Sequence, residues 1–312
     1  MLLPTSLSEE TSFAIGGKVE ALSPHGSSDI LDARELLRRY GLAAKKSWGQ
    51  NFLVDERSYS AIVRACSLTQ EEVAVEVGAG LGTLTSRLLA TGASVVAVER
   101  ERDMCEVLRT ELGGRDRFTL REENALHLDI PTLASQFGRK LTLVGNLPYQ
   151  IASPLIFQFL AARSSLRQIV IMIQREMADR VLAAPGSRDS NALGVQIQMV
   201  CATRRVCQVG RGAFLPPPRV DSSVVMLTPL PSTAVPLRDL QMFHQVVRAA
   251  FGQRRKTLRN ALSAAFSDDA MASLASCGVD LSRRGESLLL SEFATLSDAL
   301  SAHHEQSQRA QS

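Results

Sequence analysis

The feature that most constrains the fold is a short apolar run that ends in three glycines. Val73-Ala-Val-Glu-Val77 has the length and β-branched content of a buried strand, and it runs straight into Gly78-Ala-Gly80-Leu-Gly82. Glycines here let the backbone turn tightly and approach a ligand closely. A helical stretch, 83–89, follows. Then comes a second strand, Ser94-Val-Val-Ala-Val98, ended by an acid, Glu99, 21 positions beyond Gly78. Such a unit places a carboxylate where it can accept both ribose hydroxyls of an adenosine. A nicotinamide cofactor, or a tight turn with no ligand, remains open on this feature alone. The spacing is GxGxG rather than GxGxxG, which suits a ligand with no pyrophosphate to seat on the helix N-terminus.

The alternation of strand and helix continues. A helix is expected at 101–112, strands at 118–120, 141–144 and 169–173, and helical stretches at about 151–162, 175–184 and 192–201. Two closing strands fall at about 205–209 and 222–227. This order predicts an α/β fold with a mostly parallel, doubly wound sheet. Thr228-Pro-Leu-Pro-Ser-Thr-Ala-Val-Pro236 reads as a proline-punctuated linker. Beyond it only helical periodicity remains, over 239–302, with breaks near Ser267 and Cys277-Gly278. The expected organisation is a flexible N-terminal extension (1–28), an α/β domain (29–231), a small C-terminal all-helical domain (232–303) and a polar tail (304–312).

Composition limits the function classes. Hydrophobic residues make up 45%, enough for a packed core. No apolar run approaches the ~20 residues of a membrane span. The first 28 residues lack the basic and apolar regions of a signal peptide and contain no Arg, which argues against an organelle transit peptide. The five cysteines, at 66, 105, 201, 207 and 277, form no CxxC pair and suit no disulfide framework. They read as reduced, mostly buried thiols of a cytoplasmic protein. The histidines show no metal-ligand spacing, so no metal is expected. The net charge of +3 permits an anionic partner without demanding one.

The sharpest chemical signal is Gly145-Asn-Leu-Pro-Tyr149, where strand 141–144 ends. An adenine exocyclic amine is a poor nucleophile, because its lone pair is delocalised into the ring. A site that accepts both N6 hydrogens can draw the nitrogen towards a tetrahedral geometry and free that pair. The Asn146 side-chain oxygen and the Leu147 backbone carbonyl are candidate acceptors. Pro148 stiffens the turn, and Tyr149 can stack on a flipped-out base. With an already activated methyl donor, neither a metal nor a covalent enzyme intermediate is needed.

Four stretches together resemble the bacterial ribosomal RNA small-subunit methyltransferase A family, the adenine N6,N6-dimethyltransferases. They are Lys45-Lys-Ser-Trp-Gly-Gln-Asn-Phe-Leu-Val-Asp55, Val75-Glu-Val-Gly-Ala-Gly-Leu-Gly-Thr-Leu-Thr85, Gly145-Asn-Leu-Pro-Tyr149 and Phe214-Leu-Pro-Pro-Pro-Arg-Val-Asp-Ser-Ser-Val225. The resemblance covers about residues 31–300. It implies a Rossmann-like class I methyltransferase domain that uses S-adenosyl-L-methionine. Gln50, Asn51 and Leu53 would lie over the methionine end of the cofactor, with Gly78, Gly80, Glu99 and Asn146 completing its site. The family position that contacts the cofactor adenine, usually Asp, falls on Asn124. That departure removes a charge but keeps an acceptor oxygen. Phe214 would form the second wall of the target-base pocket opposite Tyr149. The implied substrate is two adjacent adenosines near the 3′ end of small-subunit (16S) ribosomal RNA within an assembling particle, modified by a monomeric enzyme.

A basic run supports an RNA partner. Arg248, Arg254, Arg255, Lys256 and Arg259 lie in a segment with no acid, astride a helix break at Gly252. Arg204, Arg205, Arg211 and Arg219 add nearby charge, and Lys45 and Lys46 flank the cofactor stretch. The rival readings are a macrolide-resistance adenine methyltransferase acting on large-subunit RNA, a DNA or protein-glutamine N-methyltransferase, and a non-catalytic RNA-binding assembly factor on the same fold. Leu147, where DNA and glutamine enzymes typically carry Pro, disfavours the second. The intact glycine loop, Glu99 and Asn146 disfavour the last.

Overall fold

A computed structural model describes residues 30–44, 50–148, 150–253 and 255–311. The expected N-terminal extension, and Lys45, Lys46, Tyr149 and Arg254, lie outside the described residues. The chain opens with α1 (Ala33–Arg39), β1 (Phe52–Leu53) and α2 (Glu56–Cys66). The alternating part follows as β2 (Val73–Val77), α3 (Thr83–Leu89), β3 (Ser94–Glu99), α4 (Arg102–Leu112), β4 (Phe118–Glu122), α5 (Ile130–Phe137), β5 (Leu141–Asn146), α6 (Ala152–Ala161) and β6 (Leu166–Gln174). Next come α7 (Arg175–Leu182), α8 (Ala192–Val200), β7 (Cys201–Val209), β8 (Phe214–Leu215) and β9 (Ser222–Pro229). Only helices follow: α9 (Leu240–Gly252), α10 (Leu258–Ser263), α11 (Asp268–Ser273) and α12 (Leu290–Gln311).

Seven strands form one sheet in the order β4-β3-β2-β5-β6-β9-β7, and β1 pairs with β8 in a separate two-stranded ribbon. From β4 to β6 the neighbours are parallel; β9 and β7 are antiparallel. From β2 the chain winds outward through β3 to β4, then returns to the other side of β2 for β5 and β6. The carboxyl ends of β2 and β5 therefore flank a topological switch point, where open α/β sheets leave a crevice for ligands. The central strands are buried on both faces, which their predominantly β-branched and Leu-rich runs allow.

Side chains fix where helices start. Asp32 accepts from Glu35 N–H at 2.9 Å, Asp55 from Ser58 N–H at 2.8 Å and Asn191 from Gly194 N–H at 3.0 Å, each supplying an acceptor that a helix N-terminus otherwise lacks. The C-terminal helices share one apolar core with the face of the sheet covered by α6 and α8. Within it Phe293 of α12 stacks on Phe251 with centroids 5.8 Å apart and meets Phe243 edge-on at 6.4 Å. The helical part is thus packed onto the α/β part rather than strung from it. The polar stretch 304–311, expected as a tail, continues α12.

Candidate active site and nucleic-acid surface

The cleft at the switch point is built by the glycine loop, the end of β3, the turn after β5 and the β1 ribbon. Gly78, Gly80 and Gly82 all have positive φ, 75°, 55° and 77°, a region that side chains with a Cβ seldom occupy. The loop is tied down by Gly78 N–H donating to Val98 O at 2.9 Å. Glu99 is held by backbone on three sides. Its Oε2 accepts from Gly80 N–H at 2.9 Å, and its Oε1 from the N–H groups of Arg100 and Glu101 at 2.7 and 2.9 Å. A carboxylate fixed this way meets a ligand without first losing rotamer freedom.

Of the residues singled out by sequence, Gln50, Asn51, Leu53, Gly78, Gly80, Glu99, Asn124, Asn146, Leu147 and Pro148 all line this one cleft. They come from positions nearly a hundred residues apart. The Asn146 amide Nδ2 donates to the Asn51 carbonyl at 3.3 Å, which leaves its Oδ1 to accept. Leu147 N–H donates to Met172 O at 3.1 Å, and among the described residues none donates to the Leu147 carbonyl. Gly145 must be glycine, because a Cβ there would lie 2.4 Å from the Val77 carbonyl oxygen. Asn124 caps the short 3-10 turn Ala125–His127 with its Oδ1, 3.1 Å from Leu126 N–H. Its amide nitrogen is the part left for a ligand.

Phe214, the expected second wall of the base pocket, is 3% exposed, pairs with Leu53 across the β1–β8 ribbon and belongs to the same buried apolar cluster as Tyr59 and Leu84; Tyr149, which it would face, lies outside the described residues. Phe52 and Leu53 of the ribbon's β1 strand line the cleft themselves. Tyr59 anchors the ribbon from below, its hydroxyl 2.5 Å from Leu53 O and 2.7 Å from Thr83 Oγ1, with the Arg87 guanidinium 4.0 Å above its ring.

Sequence reasoning passed over Glu76. This side chain lines the cleft, is 2% exposed and accepts from Thr85 Oγ1 at 2.5 Å. Burial pushes its carboxyl up to about 8, against the Thr85 hydrogen bond, with the Glu99 charge adding to the rise. A lone acid inside Val73-Ala-Val-Glu-Val77 was the available signal. Glu101, hydrogen-bonded by Gln50, is a second missed carboxylate of the same cleft.

The basic residues that can be described face outward. Arg248, Arg255, Lys256 and Arg259 are exposed around the end of α9 and the start of α10. Arg205 is instead spent on Asp179, 2.5 Å away. No group of three or more His, Cys, Asp or Glu side chains among the described residues is arranged to hold a metal. Among the same residues no helix is long and apolar enough to cross a membrane. All five cysteines are free, with Cys66, Cys105 and Cys201 buried.

A sequence-family model described as ribosomal RNA adenine dimethylase matches residues 41–301. The chain belongs to the ribosomal RNA adenine dimethylase family. It is 48% identical over 279 residues to the ribosomal RNA small subunit methyltransferase A of Anaeromyxobacter sp. (strain K), covering 86% of this chain and 97% of the relative. The protein of the same name from Pelotomaculum thermopropionicum is 41% identical over 85% of this chain and 94% of its own length. Among solved structures, a dimethyladenosine transferase from Plasmodium falciparum superposes with a TM-score of 0.67 at 25% identity, over 78% of this chain and 95% of that one. The 23S rRNA methyltransferase ErmE superposes at 0.63 with 22% identity, over 80% of this chain and 100% of that one, a likeness of fold alone.

Proposed function

We infer that this enzyme transfers methyl groups from S-adenosyl-L-methionine to the N6 amine of two adjacent adenosines near the 3′ end of small-subunit (16S) ribosomal RNA, giving N6,N6-dimethyladenosine. Family membership and the relatives named for the small subunit support the reaction and the RNA. The observation that carries the chemistry is Asn146: its amide hydrogen is committed to Asn51 while its oxygen stays available beside the Leu147 carbonyl. The reading extends to a monomeric cytoplasmic enzyme that needs no metal and works on an assembling ribosomal particle.

The residues present fit the cofactor. Glu99 offers a preoriented acceptor for ribose hydroxyls, Asn124 a donor and Ala125 an apolar contact for an adenine edge, and Gln50, Asn51 and Leu53 a cover. When bound, the cofactor supplies a methyl group already activated by its sulfonium. The chain then has to hold the amine in line and favour its pyramidal form. In the first transfer Asn146 Oδ1 and the Leu147 carbonyl would accept the two N6 hydrogens, and in the second one of them would accept the single hydrogen that remains. The nitrogen sheds one proton to solvent per methyl gained. These hydrogen bonds tighten as positive charge develops on nitrogen. They therefore favour the transition state over the bound base. Tyr149, next in the turn, is the proposed stacking partner of the base. Phe52 and Leu53 close the cleft against water.

Single-turnover methylation of undermethylated small subunits tests the reading directly. Two methyl groups per adenosine on small-subunit RNA are expected. Transfer only to large-subunit RNA, or none to either, would overturn it.

A further inference from the structure

Beside the catalytic cleft lies a second groove that the reaction does not use. Its walls are α1, the start of α2, the end of β7 and the loop leading into β8, and it is lined among others by Arg34, Asp55, Arg57, Gly210 and Gly212. Arg211 lies between the two lining glycines in sequence, though it is not itself one of the groove's lining residues. Arg34, Arg57 and Arg211 are all exposed, and none of their guanidinium groups has a carboxylate within 4 Å among the described residues. The one lining acid is already occupied: Asp55 Oδ2 accepts from Ser58 N–H at 2.8 Å and from Ser58 Oγ at 2.6 Å. Asp221 accepts the Arg211 backbone N–H at 3.1 Å and lies 3.5 Å from Arg175, so it leaves the Arg211 guanidinium free. At both glycines the space a Cβ would fill is open, so a ligand can reach the main chain.

The groove's position gives it a use. Its loop enters β8, which pairs with β1, and Val54 N–H donates to Ala213 O at 2.8 Å. The groove is therefore on the outer side of the same ribbon whose Phe52 and Leu53 close the cofactor cleft. The shared ribbon links the groove to the cleft that holds Asn146. Guanidinium forks match phosphate oxygens two at a time, and backbone contacts of this kind set register without reading sequence.

We propose that Arg34, Arg57 and Arg211 form a phosphate seat for the ribosomal RNA strand flanking the target adenosine, separate from the basic corner after α9. The proposal rests on the RNA substrate inferred above. It is tested by measuring the affinity of the full-length enzyme for transcribed small-subunit RNA against KCl concentration. The enzyme is compared with R34A/R57A/R211A and with R34K/R57K/R211K. The alanine variant should bind RNA at least 10-fold more weakly at 0.15 M salt. The slope of log K against log salt should flatten by about 0.7–0.9 for each phosphate that is no longer neutralised. The lysine variant should keep most of the slope, since charge is retained. Affinity for S-adenosyl-L-methionine, measured by calorimetry, should not change in either variant. An alanine variant that binds S-adenosyl-L-methionine normally and matches the wild-type salt slope overturns the seat. A lysine variant as weak as the alanine one also overturns it, since the residues would then be acting structurally. Failure of the wild-type enzyme to bind the RNA at all would instead overturn the substrate reading on which the seat rests.

Discussion

Replacing Glu76 by Gln should remove a pH dependence from the stability of this protein. Glu76 sits on β2 between β3 and β5, 2% exposed, with Thr85 Oγ1 as its hydrogen-bond partner. Burial holds its proton up to about pH 8, whereas the ordinary value for the unfolded chain is 4.5. Between those values the folded state carries one proton that the unfolded state has lost. The folded state therefore weakens as pH rises, by about 1.4 kcal/mol per pH unit once well above 4.5. The whole span sets a ceiling of about 5 kcal/mol, a large share of the 5–15 kcal/mol typical of a domain. Below pH 4.5 both states are protonated and the cost vanishes. Tyr59 and Cys66, two further titratable groups that feel Glu76, are pushed upward by burial, Cys66 to about 12, and stay neutral throughout.

The assay is urea unfolding of the ligand-free enzyme and of Glu76→Gln at pH 5, 6, 7 and 8. Gln keeps an acceptor for Thr85 but cannot ionise. The wild type should lose at least about 2 kcal/mol relative to the variant across this range. Parallel curves would refute the reasoning and mean that Glu76 is hydrated in solution. The same carboxyl lines the cleft, so a cation bound against it favours its ionised form. Binding of S-adenosyl-L-methionine at pH 7, which brings an ammonium and a sulfonium, should then release a fraction of a proton. Calorimetry in buffers of different ionisation enthalpy counts it, and Glu76→Gln should bring the count to near zero.

The remaining expectations follow from the same cleft and surface. Asn146→Ala should cut single-turnover methyl transfer by about 10²–10³ with cofactor affinity largely kept, by analogy with the loss of one oriented transition-state partner. Asn146→Asp, which keeps an acceptor, should retain partial activity; an alanine variant within a few-fold of wild type would move the acceptor elsewhere. Glu99→Ala should cost about 1.5–3 kcal/mol of cofactor affinity by calorimetry, and an unchanged affinity in a folded variant would take Glu99 out of the site. Gly145→Ala forces a Cβ to 2.4 Å from Val77 O and should destabilise by about 1–3 kcal/mol or more in denaturant unfolding; wild-type stability would show that β2 and β5 can part without cost. Replacing Arg254, Arg255 and Lys256 by Ala should flatten the salt dependence of RNA binding by about 0.7–0.9 log units for each phosphate these side chains neutralise, and an unaltered slope would make the corner only a solvated face.

What was legible in the sequence was local. The glycine loop, the acid at 99 and the Asn-Leu-Pro turn each announce themselves within a few residues, because turn geometry and strand ends depend on near neighbours. Apart from α5 (Ile130–Phe137), which the pattern does not reveal, and β8, the order of strands and helices from Val73 to Pro229 follows from periodicity in the same way. What escaped was long-range. β1 and β8 are two residues each and exist only because they pair across some 160 positions, Phe52 with Leu215 and Leu53 with Phe214. No window of sequence contains that pairing, so the anchoring of Phe214 beside Leu53 could not be read in advance. β7 is four residues longer at its start than the pattern suggests, because Cys201-Ala-Thr-Arg204 carries little apolar signal at a sheet edge where polar residues are tolerated. The polar stretch 304–311 has no apolar stripe to mark it as helix. Its Glu, Gln, Arg and Ala residues are nonetheless good helix formers, and α12 runs on through them.

The contact between Asn146 and Asn51 joins the two halves of the proposed reaction. Asn51 precedes β1, the strand that covers the cofactor cleft, and Asn146 ends β5, where the base is to be held. An asparagine amide can present either its oxygen or its nitrogen, and only the oxygen can accept an N6 hydrogen. The Asn51 carbonyl settles the choice by taking the Asn146 Nδ2 hydrogen at 3.3 Å. The backbone that lines the cofactor cleft at Asn51 thus also presents the Asn146 oxygen, so a single contact ties the proposed donor site to the proposed amine site.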